Sequence, residues 1–402
     1  MRSLPGVEEF LEGSPAFIFE SVTERCSASL GSEVSMLLLD HLDLVDFYVT
    51  GAYPEIPEVS ARFPLKVETE PLLKVFRDHE TVCAPSSQWQ VSPFSAEYLS
   101  AAPIRLRDTV IGAILCGGES PHSDEDLEVL RRLGMKAGVA ISVADQYTDR
   151  VEVSRRRAEP SIAAELQSDQ LPPRALYTSE AQVIGGIEPV YDVGGDWFDY
   201  ALDSEKLFVA VCDGVGRGLS AASISYVTLG AVRNARKRGC SLEQTMQLAH
   251  EALIFSTSYE QFATLLLASI DLRTLRMELI SAAHPAPILM PRREGKEPEI
   301  MQLPHDCYPP LGAFEDEREY VSGYYELPPG SRLLFFSDGA TERRGSGGER
   351  LGVEGLLGYV EQGREIGKLD LLRFLMSKVD EFGEGAVEDD VTIVGVDLPP
   401  FV

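Results

Sequence analysis

In the stretch VYDVGGDWFDYALDSEKLFVAVCDGVGRG, residues 190–218, Asp196 opens one apolar run and Asp213 closes the next. The two runs, DWFDYAL and KLFVAVC, flank the turn Asp203–Ser204–Glu205. A hairpin centred near Ser204 pairs residues whose numbers sum to about 408, because the turn fixes the register. Position 196 then faces position 212, which lays Asp196 beside Asp213 at the open end. Two carboxylates forced together repel unless a proton or a cation lies between them. Beyond Asp213, Gly214, Gly216 and Gly218 let the chain turn tightly and expose backbone carbonyls.

The arrangement recurs downstream. RLLFFSDGATE is an apolar run ending in Asp338–Gly339, and EDDVTIVGV begins with Asp389–Asp390. A strand that starts with acid lies antiparallel beside strands that end with acid, so these carboxylates gather at one rim. Hard oxygen donors, few histidines and no clustered cysteine favour Mg²⁺ or Mn²⁺ over zinc. Taken alone, Asp-Gly after a strand is an ordinary turn. DGVGRG follows GxGxG rather than the GxGxxG of a dinucleotide fingerprint, and the Gly-Lys-Ser/Thr of a phosphate loop is missing. Four acid-bearing strand ends in this order point to a metal site. Asp199 and Asp390 stay open between outer positions of that site and plain strand-edge acids.

The elements that must position these acids fall within residues 176–402. Strand candidates are FATLLLASIDL, RMELISAAHPAPILM, SRLLFFSDG and DDVTIVGVDL, and two helical segments stand among them, GLSAASISYVTLGAVRNARKRG and SLEQTMQLAHEALIFSTS. Most strands follow one another through short turns. That predicts antiparallel sheets with helices packed outside rather than a doubly wound parallel fold. Residues 1–145 mix helix and strand. VEEFLEGSPAFIFESVTERC has helical spacing, SEVSMLLLDHL and TVIGAILCGG read as strands, and SDEDLEVLRRLGMKAGVAISVADQY reads as a closing helix with Ser123 as N-cap. AAPIRLRDTVIGAILCGG, with its turn at Arg107–Asp108, resembles the late strands of a GAF domain. Residues 146–175 are polar and helix-prone, interrupted by Pro160 and ended by Pro172–Pro173, and read as a helical connector.

The chain has 402 residues, enough for two or three domains at roughly 100–200 residues each. Apolar residues make up 44% and allow real cores. A net charge of −28 disfavours nucleic acid and anionic membrane surfaces, which need a basic patch. The six cysteines form no CxxC pair, and most are expected as buried thiols in a reducing cytosol. The opening MRSLPGVEEFLEG is too acidic for a signal peptide, and no run nears the roughly 20 apolar residues of a membrane span. A cytoplasmic protein is expected.

In order and spacing, VGGDWFD, DGVGRGLSAA, FATLLLASIDL with LRMELISAAHPAPIL, LPPGSRLLFFSDGATE and DDVTIVGVDL resemble the metal-dependent PPM-type serine/threonine phosphatases in their bacterial SpoIIE/RsbU-like branch. AAELQSDQLPPR resembles the LQ…LLP segment that precedes the catalytic domain there. The resemblance implies an α+β chain: a GAF-like sensor over 1–145, a helical linker over 146–175 and an αββα sandwich over 176–402. It further implies that Asp196 and Asp213 serve a bridged pair of Mn²⁺ or Mg²⁺ ions. The Gly214 carbonyl binds one ion, and Asp338 and Asp389 complete the sphere of the other. This chain departs from the branch in SAAHP, where NAGHP is common, and in Arg217, where histidine is common. His284 is read as structural, and Arg217 as an exposed loop residue near the cleft.

The expected reaction is metal-dependent hydrolysis of phosphoserine or phosphothreonine on a signalling protein. The resemblance implies a phosphorylated anti-sigma-factor antagonist as substrate, with control by the N-terminal sensor. A homodimer is expected through the linker helix, which would reposition helix 219–238. One rival is a degenerate copy that only binds a partner, against which the full set Asp196, Asp213, Asp338 and Asp389 stands. Another is a hydrolase of small phosphate esters.

Overall fold

The computed structural model describes residues 6–40, 47–54, 64–65, 69–76, 78–89, 96–106, 109–156, 159–188, 195–256, 261–291, 299–314, 319–364, 366, 368–383 and 389–399. The chain divides into two compact units, Met1–Arg157 and Ala158–Val402.

The first unit carries α1 (Val7–Leu11), α2 (Ile18–Leu30), β1 (Val34–Asp40), β2 (Phe47–Tyr53), β3 (Pro64–Leu65), α3 (Glu70–Phe76), β4 (Val82–Pro85), β5 (Tyr98–Leu106), β6 (Thr109–Gly118), α4 (Asp124–Ala144) and α5 (Arg150–Ser154). Its strands form one sheet in the order β3-β2-β1-β6-β5-β4. Phe19, Val22 and Cys26 of α2 and Leu133, Ala137 and Ile141 of α4 pack on Leu37, Ile104 and Ile114 of one face. Leu72 and Val75 of α3 cover Met36, Ala101 and Leu115 on the other. Ser123 caps α4 as expected, its Oγ accepting from the Asp126 N–H while Asp126 answers the cap's own N–H. α4 lies close on β5: a Cβ at Gly138 would stand 2.2 Å from the Arg105 carbonyl oxygen. The helical run expected over residues 7–26 is broken at Ser14–Pro15, where a 3₁₀ turn starts α2 anew. Leu106 pairs with Thr109 in the expected hairpin, while its turn, Arg107–Asp108, lies outside the described residues.

The second unit begins with α6 (Ile162–Ser168), β7 (Ala175–Tyr177), β8 (Gln182–Glu188), β9 (Trp197–Leu202), β10 (Lys206–Gly214), α7 (Leu219–Lys237) and α8 (Leu242–Ser256). β11 (Ala263–Asp271), β12 (Arg276–Ala282), β13 (Ile288–Met290), β14 (Met301–Gln302), β15 (Cys307–Tyr308), β16 (Gly323–Glu326) and β17 (Arg332–Phe336) follow. α9 (Gly339–Glu342), α10 (Gly352–Gln362), α11 (Lys368–Phe382) and β18 (Val391–Asp397) complete it. One sheet runs β15-β12-β11-β10-β9 with β16 also on β12, and the other runs β14-β13-β17-β18-β8-β7. Among the described strands only β12 and β15 pair in parallel.

Alternation along the strands builds the layers. Val209, Val211, Leu266 and Ala268 of the first sheet meet Val183, Leu333, Phe335, Val394 and Val396 of the second. Their neighbours Ala210, Cys212, Leu265 and Leu267 face outward onto Ile224, Val232, Met246 and Leu253 of α7 and α8. Each fully buried aliphatic side chain stabilises this sandwich by about 1.5–3 kcal/mol. On the far side, α11 packs on β8 and β18. The result is the expected α+β arrangement, two antiparallel sheets flanked by helices.

Several expectations are corrected. RMELISAAHPAPILM is two strands in different sheets. Ala283 takes a positive φ of 54°, and Pro285 and Pro287 have no N–H to donate, so the chain leaves one sheet for the other. Helices α9 to α11 add to the two foreseen. The helical connector, interrupted at Pro160 as read, consists of the five-residue α5 before it and the seven-residue α6 after it. Three cysteines rather than most are buried (Cys26, Cys116 and Cys212), and all six are free thiols. No described helix is long and apolar enough to cross a membrane.

Candidate metal centre

Pairing of β9 with β10 sets the first half of the site. Cys212 pairs with Trp197 and Leu207 with Leu202, so the register is one residue beyond the expected sum. This shift sets Asp196 directly across from Asp213, a closer match than the sequence register gave. The Gly214 N–H donates to the Gly195 carbonyl at 3.0 Å, just past the ladder. Gly195 is required there, since a Cβ would come within 2.4 Å of the Gly214 carbonyl oxygen.

Parity decides which acids enter the cleft. Phe198 and Val211 lie between the sheets, so Asp196 and Asp213, two residues from each, share that face. Asp199 has the opposite parity and lies on the helix side. It is 2% exposed and accepts from Arg233 Nη2 at 2.8 Å and Arg236 Nη2 at 2.9 Å. Asp199 therefore anchors α7 to β9 and takes no part in the acid cluster.

The second sheet supplies the other half. Phe336 pairs with Ile393, and the Ser337 N–H donates to the Thr392 carbonyl at 3.0 Å. Ser337 Oγ accepts from the Thr392 N–H at 3.0 Å and donates to the Asp390 carbonyl at 3.2 Å. These bonds bring Asp338 beside Asp389 and Asp390. Gly339 permits the approach, because a Cβ there would stand 2.1 Å from the Asp390 carbonyl oxygen. Thr392 Oγ1 reaches across the cleft and donates to Asp196 Oδ2.

Asp196, Asp213, Asp338, Asp389 and Asp390 therefore share one end of the inter-sheet cleft. The Asp213 carboxyl lies within hydrogen-bonding reach of both Asp338 and Asp196. Burial first, then the charges of Asp338 and Asp389, push it from 3.8 to about 8. Burial and then Asp213 and Asp390 hold the Asp196 carboxyl well above its ordinary range. Asp389 rises to about 6, mainly by burial, with Arg217 opposing. Asp338 is raised by burial and by Glu342. Burial also raises Asp390, against the hydrogen bonds it accepts. The acids meet in pairs: among the described residues, no three of them bring one oxygen each within 4.8 Å of one another.

The donor set fits divalent cations. Asp390 Oδ1 is buried with no hydrogen-bond donor among the described residues. The surrounding acids disfavour each other's ionisation, which an ion between them would reverse. All the side-chain ligands on offer are carboxylate oxygens, the hard donors that Mg²⁺ and Mn²⁺ take.

Two further readings are settled by position. His284 is 2% exposed, contacts Thr264 Oγ1 through Nδ1 at 2.7 Å, and is lowered to about 3 by burial, so it is a neutral structural group. Arg217 is exposed in the turn between Gly216 and Gly218, and its charge acts on Asp389. Asp390, like Asp199, is an acid whose place the sequence leaves open, and its strand parity with Thr392 and Val394 is the signal that assigns it to the cleft.

Residues 203–399 match the model of the family described as Stage II sporulation protein E (SpoIIE), and residues 15–141 match that of the GAF domain. The chain is 23% identical over 214 residues to the phosphoserine phosphatase RsbU of Bacillus subtilis (strain 168), covering 52% of this chain and 62% of that protein. It thus spans less than two thirds of the length of this relative. Among solved structures, the SiaA PP2C domain of Pseudomonas aeruginosa matches with a TM-score of 0.50 at 18% identity, over 60% of this chain and 94% of that one. The phosphatase domain of SpoIIE from Bacillus subtilis, with a fragment of its regulatory domain, gives 0.45 at 20% identity, over 57% of this chain and 66% of the other.

Proposed function

The chain joins a GAF domain to a SpoIIE-type domain of the PPM phosphatases, and from that premise we propose that it is a metal-dependent protein serine/threonine phosphatase. The observation that carries this reading is the cluster of carboxylates at one end of the cleft, with Asp196 and Asp390 buried, Asp213 and Asp338 half-buried and Asp389 exposed, raised by desolvation and mutual repulsion and fit to be neutralised by divalent ions. Two Mn²⁺ or Mg²⁺ ions bound there would supply an acidified water as nucleophile and a positive field for the phosphoryl oxygens.

The chain's own residues divide the work. Asp213 lies between Asp196 and Asp338 and would serve the metal pair together with them. Asp196 and the Gly214 carbonyl would hold one ion, and Asp338 and Asp389 the other. Thr392 fixes the Asp196 carboxylate by its hydroxyl hydrogen bond. Arg217, exposed at the edge, steers the phosphoprotein toward the cleft against a net charge of −28.

The proposed substrate is a phosphorylated signalling partner of the anti-sigma-factor-antagonist class, and the GAF unit sets the level of activity. A homodimer is proposed through α6, whose Ile162 and Leu166 are 71% and 39% exposed one turn apart. Turnover of a phosphoserine peptide with Mn²⁺, lost on chelation and in Asp213→Asn with the fold intact, is the expected result. Chelator-insensitive turnover, or equal turnover by Asp213→Asn, would sink the reading. A preference for nucleotides over phosphopeptides would instead favour a small-ester hydrolase.

A further inference from the structure

Helix α6 precedes the first acid of the site by about thirty residues, yet it reaches into the cluster. Its Gln167 is only 5% exposed. Nε2 donates to the Asp196 carbonyl at 2.7 Å and to Asp390 Oδ2 at 2.8 Å. That same carboxylate oxygen accepts the backbone N–H groups of Gly195 at 3.1 Å and Asp196 at 3.3 Å. Three donors thus converge on Oδ2, while Oδ1 of the same group is buried with no hydrogen-bond donor among the described residues.

The helix is itself held in place. Ser161 Oγ caps its first turn by accepting from the Ala164 N–H. Ala163 and Ala164 are buried, and Arg233 of α7 donates both to the Gln170 carbonyl at 2.7 Å and to Asp199 Oδ1 at 2.8 Å. A displacement of α6 would therefore be felt at Asp390 and Asp196 together.

We infer that Gln167 is a positioning residue for the acid cluster, pinning one Asp390 oxygen and the Asp196 backbone so that the remaining oxygens face a metal ion. This rests on the metal-site reading above. The amide suits the task on chemical grounds. It offers two N–H donors with no charge, whereas a lysine or arginine would compete with a cation and a glutamate would add another carboxylate. Hydrogen-bond partners behind metal ligands set affinity by about 10–100-fold.

The test measures Mn²⁺ uptake by the full chain from the loss of the free-ion paramagnetic resonance signal, together with turnover against Mn²⁺ concentration. Gln167→Met removes both donors at similar length, and Gln167→Glu keeps the shape while reversing the interaction. Gln170→Ala, just beyond α6, removes a side-chain hydrogen bond to the Leu166 carbonyl and leaves Gln167 in place. Thermal unfolding in chelator checks that each variant folds. Gln167→Met and Gln167→Glu are expected to raise half-saturating Mn²⁺ about 10–100-fold, with Gln167→Met recovering most of its kcat at saturating metal. Gln170→Ala should stay within about twofold of wild type, well below the shift expected at Gln167. Folded Gln167 variants that bind Mn²⁺ as wild type does would overturn the inference alone. Wild-type protein that takes up no Mn²⁺ would remove the site reading, and the inference with it.

Discussion

The repulsion within the acid cluster has a sign and a size that can be measured without any substrate. Asp213 moves from 3.8 in an unfolded chain to about 8 in the folded one, chiefly through burial and then through Asp338 and Asp389. Each tenfold change in proton affinity is worth about 1.4 kcal/mol, so the shift corresponds to about 6 kcal/mol for ionising this acid in the metal-free fold. The repulsion is shared with its neighbours, so this figure describes the cluster rather than one residue to be added to others. Because the folded pKa is raised, the folded state keeps a proton that the unfolded chain has released. Stability is then fully present below about pH 4 and is lost as pH rises toward about 8. About 4 kcal/mol of this falls between pH 5 and 8.5, so at roughly 2–4 °C per kcal/mol for a unit of this size the unfolding midpoint in chelator should fall by about 8–16 °C over that range. Saturating Mn²⁺ should flatten that slope, since a cation replaces the proton and binds only the folded state. Asp213→Asn in chelator should be more stable than wild type at pH 8. Thermal unfolding by circular dichroism over this pH range reads all three. A metal-free wild type with flat stability, or an Asp213→Asn variant no more stable than it at pH 8, would refute the electrostatic reasoning.

Other consequences concern the supports of the site. Gly339→Ala places a methyl group 2.1 Å from the Asp390 carbonyl oxygen unless the backbone shifts, so Mn²⁺ uptake should weaken by at least about tenfold with secondary structure retained. Asp199→Ala removes the partner of Arg233 and Arg236 and should cost about 3 kcal/mol in denaturant unfolding, with Mn²⁺ affinity nearly unchanged because Asp199 is on the helix side. Ile162→Glu with Leu166→Glu should turn a dimer into a monomer in sedimentation; a wild type that is monomeric throughout would remove that proposal.

Much of this is legible in the residues, and the failures have physical causes. Strand ends marked by Asp196, Asp213, Asp338 and Asp389 are visible because apolar runs stop at acids, and antiparallel pairing can only bring such ends to one rim. The hairpin register differs by one because the loop is the two residues Ser204 and Glu205, closed by the Asp203 N–H donating to the Lys206 carbonyl, rather than three residues centred on Ser204. Asp199 stays open in the sequence, although its place three residues from Asp196 on a strand, which turns it the opposite way, is the signal that marks it as structural. Gln167 is not readable, since its partner Asp390 is 223 residues away and local pattern carries no trace of that contact. The stripe Leu371, Leu372, Leu375 and Val379 is a helical signal that could have found α11, whereas three glycines in GVEGLLGYVEQ weaken the signal of α10. The break between β12 and β13 hides in an apolar stretch, where two prolines and a left-handed Ala283 outweigh strand propensity.

Crystals grown with Mn²⁺ and measured at the manganese absorption edge address the metal centre most directly. Two anomalous peaks are expected at the cleft end, with Asp213 touching both, Asp196 on one side and Asp338 and Asp389 on the other. Absence of anomalous density there, or Asp338 and Asp389 turned away from Asp213, would contradict the assignment.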